Sequence, residues 1–120
     1  MLEDNKVNVY TISARNGIKA EGIKIGRIFM ILKFSMIRKL NVDSFDRIKR
    51  LKYLKNNLIS SRFVDANNWY YSLNENVLLD SGSNAASIVT GSSKDSSFWK
   101  KTGKQIHVPE NYVTISQERK

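Results

Sequence analysis

Apolar and polar residues alternate along Val7–Ser13 (VNVYTIS), the two-residue period of a strand with one buried face. Asn16-Gly17 follows, a dipeptide that closes hairpins. Ile18, Ile23 and Ile25 then stand among Lys19, Glu21 and Lys24 as a second, irregular strand ending at Gly26. Arg27–Ile37 (RIFMILKFSMI) is the most apolar stretch of the chain. Its β-branched and aromatic residues, and its start after a glycine, favour a central strand. A continuous apolar run does not fix its own period, so a buried helix is the alternative. The period changes in Val42–Ile59, where Phe45, Ile48, Leu51, Leu54, Leu58 and Ile59 recur at three- and four-residue steps. That single apolar stripe predicts one long helix over about 43–60. Asp43 or Ser44 is placed to cap its free amides, and Asp46 suits the positive end of its dipole.

Beyond Ser60-Ser61, Trp69-Tyr70-Tyr71 and Val77-Leu78-Leu79 flank the turn signal Asn74-Glu75-Asn76 and read as a hairpin. Ser81 or Ser83 caps a short helix over about 83–90, and Gly91 supplies its left-handed stop. Ala85 and Ala86 are small enough to let that helix sit close to a sheet. Ser97–Lys101 and Gln105–Val108 around Thr102-Gly103-Lys104 form a last hairpin in this reading. Residues 1–108 make the domain, and 109–120 are a C-terminal tail, a short strand or loose chain. There is no internal repeat. The element order predicts an α+β fold, a small single domain with a mostly antiparallel sheet.

Composition sharpens this reading in three ways. At 120 residues the chain has room for one core. It holds no cysteine, which excludes disulfides and thiolate metal sites and fits a reducing cytoplasmic location. No apolar run reaches transmembrane length, and the N-terminus does not read as a secretory signal, so no membrane association is expected. The formal charge is +9, unevenly placed. Between Lys33 and Arg62 nine cationic residues face only Asp43 and Asp46. Lys94, Lys100, Lys101 and Lys104 face only Asp95. Such a surface attracts polyanions, of which nucleic acid is the commonest for a small domain. The bland reading is a solubilising face.

Enzymatic patterns are missing. Asp43 and Asp46 are explained by capping, and Glu21, Asp65, Glu75 and Asp80 are scattered without forming an acid–base pair. Neither a Walker-type loop nor a Gly-x-Gly-x-x-Gly segment occurs. His107 is the sole histidine and leaves no basis for a metal centre. No catalytic residue, cofactor or metal is expected.

Leu79-Asp80-Ser81-Gly82-Ser83-Asn84-Ala85-Ala86-Ser87-Ile88-Val89-Thr90-Gly91, then Phe98-Trp99-Lys100 and Gly103-Lys104, resembles the DUF4357 family. It is also similar to restriction-associated RAMA modules: a serine-rich cap, two alanines, a glycine stop, then Trp-Lys and a Gly-Lys turn. Phe29–Lys33 and Asn57-Leu58-Ile59 match the family's strand and helix end, so the resemblance covers roughly Ile18 to Ile106. The chain departs from the pattern at Gly82, where proline is usual, at Asp95-Ser96-Ser97, where Asn-Gly precedes the tryptophan, and at Phe34, where the family has glycine before Ser35. The resemblance implies a domain found alone or beside nuclease-like and restriction–modification proteins, with proposed readers of modified DNA among its relatives. It brings no established catalytic residues.

These readings converge on a nucleic-acid-binding expectation. Ser81, Ser83 and the free amides of the short helix would receive a phosphate. Lys94, Lys100, Lys101 and Lys104, with Arg47 and Arg50 on the long helix, would neutralise neighbouring phosphates. Trp99 is expected in the core, with Phe98 or Trp69-Tyr70-Tyr71 left to offer faces to bases. The favoured function is a non-catalytic, DNA-binding accessory module working with a nuclease or methyltransferase partner. The alternatives are a protein–protein adaptor with a basic surface and a minimal nuclease.

Overall fold

The computed structural model describes residues 6–14 and 17–115. Arg15 and Asn16 lie outside them, so the expected Asn-Gly turn is described only at Gly17. The strands that flank it are as expected: β1 (Lys6–Ser13) pairs antiparallel with β2 (Lys19–Ile25), Val9 opposite Ile23 and Ile12 opposite Ala20. β2 continues through the two-residue turn Gly26-Arg27 into β3 (Ile28–Ile31).

The apolar run then departs from the single strand expected of it. It breaks after Ile31, and its second half, β4 (Met36–Arg38), belongs to another sheet. The break is made at Phe34, whose φ of 77° lies in the left-handed region. A side chain there costs about 1 kcal/mol or more, the strain that a glycine avoids. The turn is held regardless, because the Phe34 amide donates to the Leu73 carbonyl and the Ser35 amide to that of Leu32. Apolar composition did not reveal the break because both halves are buried, one in each sheet.

The long helix is likewise in two pieces. α1 (Asp43–Asp46) ends at Arg47, Ile48 is extended, and α2 (Lys49–Ile59) begins after it. Neither Asp43 nor Ser44 caps: Val42 precedes α1 and Ile48 precedes α2, both without a side-chain cap. The apolar stripe survives the break because Phe45, Leu51, Leu54 and Leu58 all reach the same core.

The expected Tyr–Val hairpin is not formed. β5 (Val64–Ala66) and β6 (Tyr70–Leu73) complete the small sheet, ordered β4-β6-β5, while β7 (Val77–Leu79) crosses to pair with β3. α3 (Gly82–Thr90) and a 3-10 turn, Ser96–Phe98, follow. The last hairpin is instead one strand, β8 (Lys100–His107), running beside β1. Its register slips between Asn8 opposite Gln105 and Tyr10 opposite Lys101, so Thr102–Lys104 bulge against Val9. The Thr102 hydroxyl closes the bulge by donating to the Val9 carbonyl and accepting from the Lys104 amide. Within the described part of the expected tail, β9 (Val113–Thr114) lies parallel to β7 and Ile115 enters the core, and 116–120 lie outside the described residues.

The result is an α+β fold of a six-stranded sheet, β8-β1-β2-β3-β7-β9, and a three-stranded one, with α3 between the sheets and α2. Asn84 to Thr90 are all buried, and Ala85, Ala86, Ile88 and Val89 join side chains from both sheets in one core. Alternation puts Tyr10, Ile12 and Phe29 on this core face and Val9, Ile23 and Met30 on the other, where they form a second small cluster.

Candidate nucleic-acid interface

α3 is capped as its sequence predicts. Of the two serines, Ser81 caps, its hydroxyl accepting from the Asn84 amide at 3.1 Å, and Gly91 ends the helix at a φ of 73°. No acceptor among the described residues takes the amides of Gly82 and Ser83, so they remain available at the positive end of the helix. Trp99 fixes this end to the sheet. It is buried, as expected, its ring stacks on Phe29 with centroids 4.5 Å apart, and its Nε1 donates to the Gly82 carbonyl at 3.1 Å. Gly82 lets the helix approach so closely: a Cβ there would lie 3.2 Å from Ser96 Cβ and 3.4 Å from the Phe29 ring.

A cavity of about 360 Å³ opens at this junction. Tyr10, Ile28, Phe29 and Trp99 supply its apolar wall. Ser81, Gly82, Ser83 and Ser96 bring hydroxyls and backbone, and Lys24 and Arg27, at the β2–β3 turn, bring its charges. No carboxylate lines it. An apolar wall with a few convergent polar groups is the general form of a ligand site, and the charged side chains of this one, Lys24 and Arg27, are both cationic. Among the described residues, no group of three or more His, Cys, Asp or Glu stands close enough to hold a metal.

Two of the expected cations approach the elements that line this cavity without lining it themselves. Lys101 stands opposite Tyr10 in the β1–β8 register and leaves the sheet on the same face. Arg50 reaches the third residue of α3, Nη2 lying 3.5 Å from Asn84 Oδ1, while Asn84 Nδ2 donates to Asp80 at 2.7 Å. The other expected residues do not gather with them. Lys100 is opposite Thr11 and exits on the reverse face, where Lys104 pairs with Glu21 at 3.5 Å. Lys94 lies over the Phe98 ring at 4.7 Å, with its backbone held by the Ser87 hydroxyl. Arg47 is exposed at the α1–α2 joint. Phe98 packs half-buried against the core.

Lys55, one of the cations in the basic window, is not on the surface at all. It is buried over Phe45 and donates to the Arg38 carbonyl at 2.6 Å and to Asn41 Oδ1 at 2.5 Å. Burial, with the nearby Arg38 charge, lowers its pKa to about 8, and Asp46 opposes that shift.

Sequence reasoning missed Lys24 and Arg27, because they sit outside the charge clusters. The available signal was local: a Gly-Arg pair between two isoleucines, which here closes the β2–β3 hairpin with Ile25 opposite Ile28.

The fold and the cavity define a small α+β domain with a cation-rimmed recess at a helix start. Residues 10–107 match the family described as "Domain of unknown function (DUF4357)", and the chain belongs to that family. No curated protein and no solved structure matches it. No helix among the described residues is long and apolar enough to cross a membrane.

Proposed function

We propose that this chain is a non-catalytic DNA-binding accessory module, acting in the cytosol beside a nuclease or methyltransferase partner. One observation carries the reading: Lys24, Arg27 and the open amides of α3 converge on a cavity that contains no carboxylate. Arg50 and Lys101 extend the same positive field on either side. Backbone phosphates supply the complementary charge, and a helix start is a natural seat for one of them. A cavity without an acid–base pair or metal ligands favours binding over cleavage. The RAMA-like pattern of the sequence supports an association with restriction–modification systems.

The test is titration of a labelled duplex over a salt series, with wild type and a Lys24→Ala/Arg27→Ala double variant. Wild-type affinity should fall steeply with salt, and the variant should flatten the log–log slope by about 0.9 per lost phosphate contact, roughly two in all. Lys94→Ala should leave the slope in place. Full affinity and slope in the variant would remove the cavity from the interface, a wild type that binds no duplex would move the assignment to a protein–protein adaptor, and cleavage of the duplex would make it a nuclease. Methylated and unmethylated duplexes run side by side address the resemblance to readers of modified DNA.

A further inference from the structure

The reverse face of the large sheet carries a second aromatic and basic surface. Phe34 is its centre. The side chain is 76% exposed although its backbone is strained, a combination that packing does not explain. It borders a recess of about 270 Å³ with Lys19, Lys33 and Thr11. Thr11 and Glu21 alternate with Tyr10 and Gly22 along their strands, so this recess opens away from the cavity at α3. Lys33 Nζ stands 5.3 Å from the Phe34 ring centroid. Lys100, opposite Thr11, leaves the sheet on this same face. Glu21 is the one carboxylate in the recess, and Lys104 already pairs with it.

The surface continues past the β1–β2 turn. Trp69 is 46% exposed, and its ring lies against Gly17, two residues from Lys19. Beside it Lys39 stands 5.3 Å from the Tyr71 ring centroid. Two exposed aromatic rings thus lie near one hairpin end, Phe34 with Lys33 over its ring and Lys19 in its recess, and Trp69 next to the strand residues where Lys39 covers Tyr71.

We infer that Phe34 and Trp69 form a stacking platform for a single-stranded nucleic acid. Unpaired bases would lie on the two rings, and the phosphates between them would meet Lys19, Lys33 and Lys39. The charge selects the occupant: a hydrophobic protein partner gains nothing from Lys19, Lys33 and Lys39 set among the rings, whereas a polyanion with flat apolar bases uses both. Lysines placed this way neutralise phosphates without reading sequence, so the platform accepts bases of any identity. The inference adds a second contact to the DNA-binding reading and is separable from it, because the two surfaces lie on opposite faces.

The experiment uses labelled oligothymidine and oligouridine of roughly 15 nucleotides, and a duplex of the same length. Phe34→Gly is the informative variant, since glycine accepts the backbone angle and the fold should be kept or strengthened. It should lower oligothymidine affinity about fivefold or more, as should Trp69→Ala, and Lys52→Ala, exposed on α2 outside both surfaces, should change it by less than about twofold. Oligothymidine should quench tryptophan fluorescence, because Trp69 is exposed and Trp99 is only 5% exposed. Oligouridine should bind with similar affinity, as stacking does not read the 2′-hydroxyl; strong preference for one of the two would overturn the sequence-blind platform. Unchanged oligothymidine affinity in Phe34→Gly, or a change in oligomeric state without a change in affinity, overturns the proposal and leaves the cavity reading standing. Loss of single-strand binding in Phe34→Gly from a protein that does not bind duplex supports this platform and removes the cavity from the function.

Discussion

α3 and the α1–α2 segment are the two α-helical regions among the described residues, and they are built on opposite plans. α3 has a serine cap at one end, a left-handed glycine at the other, and seven of its nine residues buried. α1 and α2 begin at Val42 and Ile48 with no side-chain cap, and α2 presents Lys49, Arg50 and Lys52 to solvent. One helix is fixed by its own ends and by close packing. The other is fixed along one stripe, with its ends left to the backbone and to a buried lysine. The difference teaches where sequence signals are strong: short-range capping chemistry specifies α3, and long-range contacts specify the joint at Ile48.

The sharpest way to break this contrast is Gly91→Ala. The position has a positive φ, and a Cβ there would collide with the Leu40 carbonyl oxygen. Left-handed strain and overpacking together should cost about 3 kcal/mol, read as a fall in the chemical-denaturation midpoint. A loss under about 1 kcal/mol would mean that α3 does not depend on its stop. Ala86→Leu comes next. Ala86 is fully buried between elements that have no room to give, so a loss of about 2 kcal/mol is expected by thermal or chemical unfolding. An unchanged midpoint would show that the alanines are not what allows the close approach.

Lys55 tests the other region. Its folded pKa of about 8 lies below the unfolded value of 10.5. Between those values the unfolded chain holds a proton that the folded domain has released, so stability rises with pH through that window. Wild type should therefore gain about 1 kcal/mol relative to Lys55→Met between about pH 8 and 9.5. Parallel pH profiles for the two proteins would show Lys55 staying charged in the fold. The smallest effect is expected from Val42→Thr, which keeps the side-chain shape and supplies the missing cap. It should stabilise by about 0.5 kcal/mol, seen as a small rise in Tm. A destabilisation would mean that the valine methyls matter more at α1 than a cap does.

The same contrast explains what was legible from residues alone. Ser81, the alanine pair and Gly91 give α3 almost to the residue, since each acts on its own helix. The α+β class and the β1–β2 pairing followed from alternation, which local sequence records directly. The break at Phe34 was hidden because both flanking segments are apolar and only the partner sheets differ. β8 reads as a hairpin in sequence because Thr102-Gly103-Lys104 has turn residues, which here form a bulge against Val9. At the candidate site, Ser81 and Ser83 follow from capping chemistry and line the cavity, while Arg50 reaches Asn84 and Lys101 stands opposite Tyr10 without lining it. Lys24, Arg27 and Tyr10 were not legible, because it is strand register that brings them there, and register is not written in any short stretch.

The bulge in β8 also bears on how the protein avoids its own kind. β8 is an edge of the large sheet, and a straight eight-residue edge would offer a row of free amides and carbonyls to a neighbouring copy. The extra residues at Thr102–Lys104 put that row out of step, and Lys100, Lys101 and Lys104 add repulsion between any two such edges. The opposite edge, β9, is only two residues long and gives little to pair with. A sheet of six strands can thus stay open at both sides in a concentrated solution without growing from molecule to molecule.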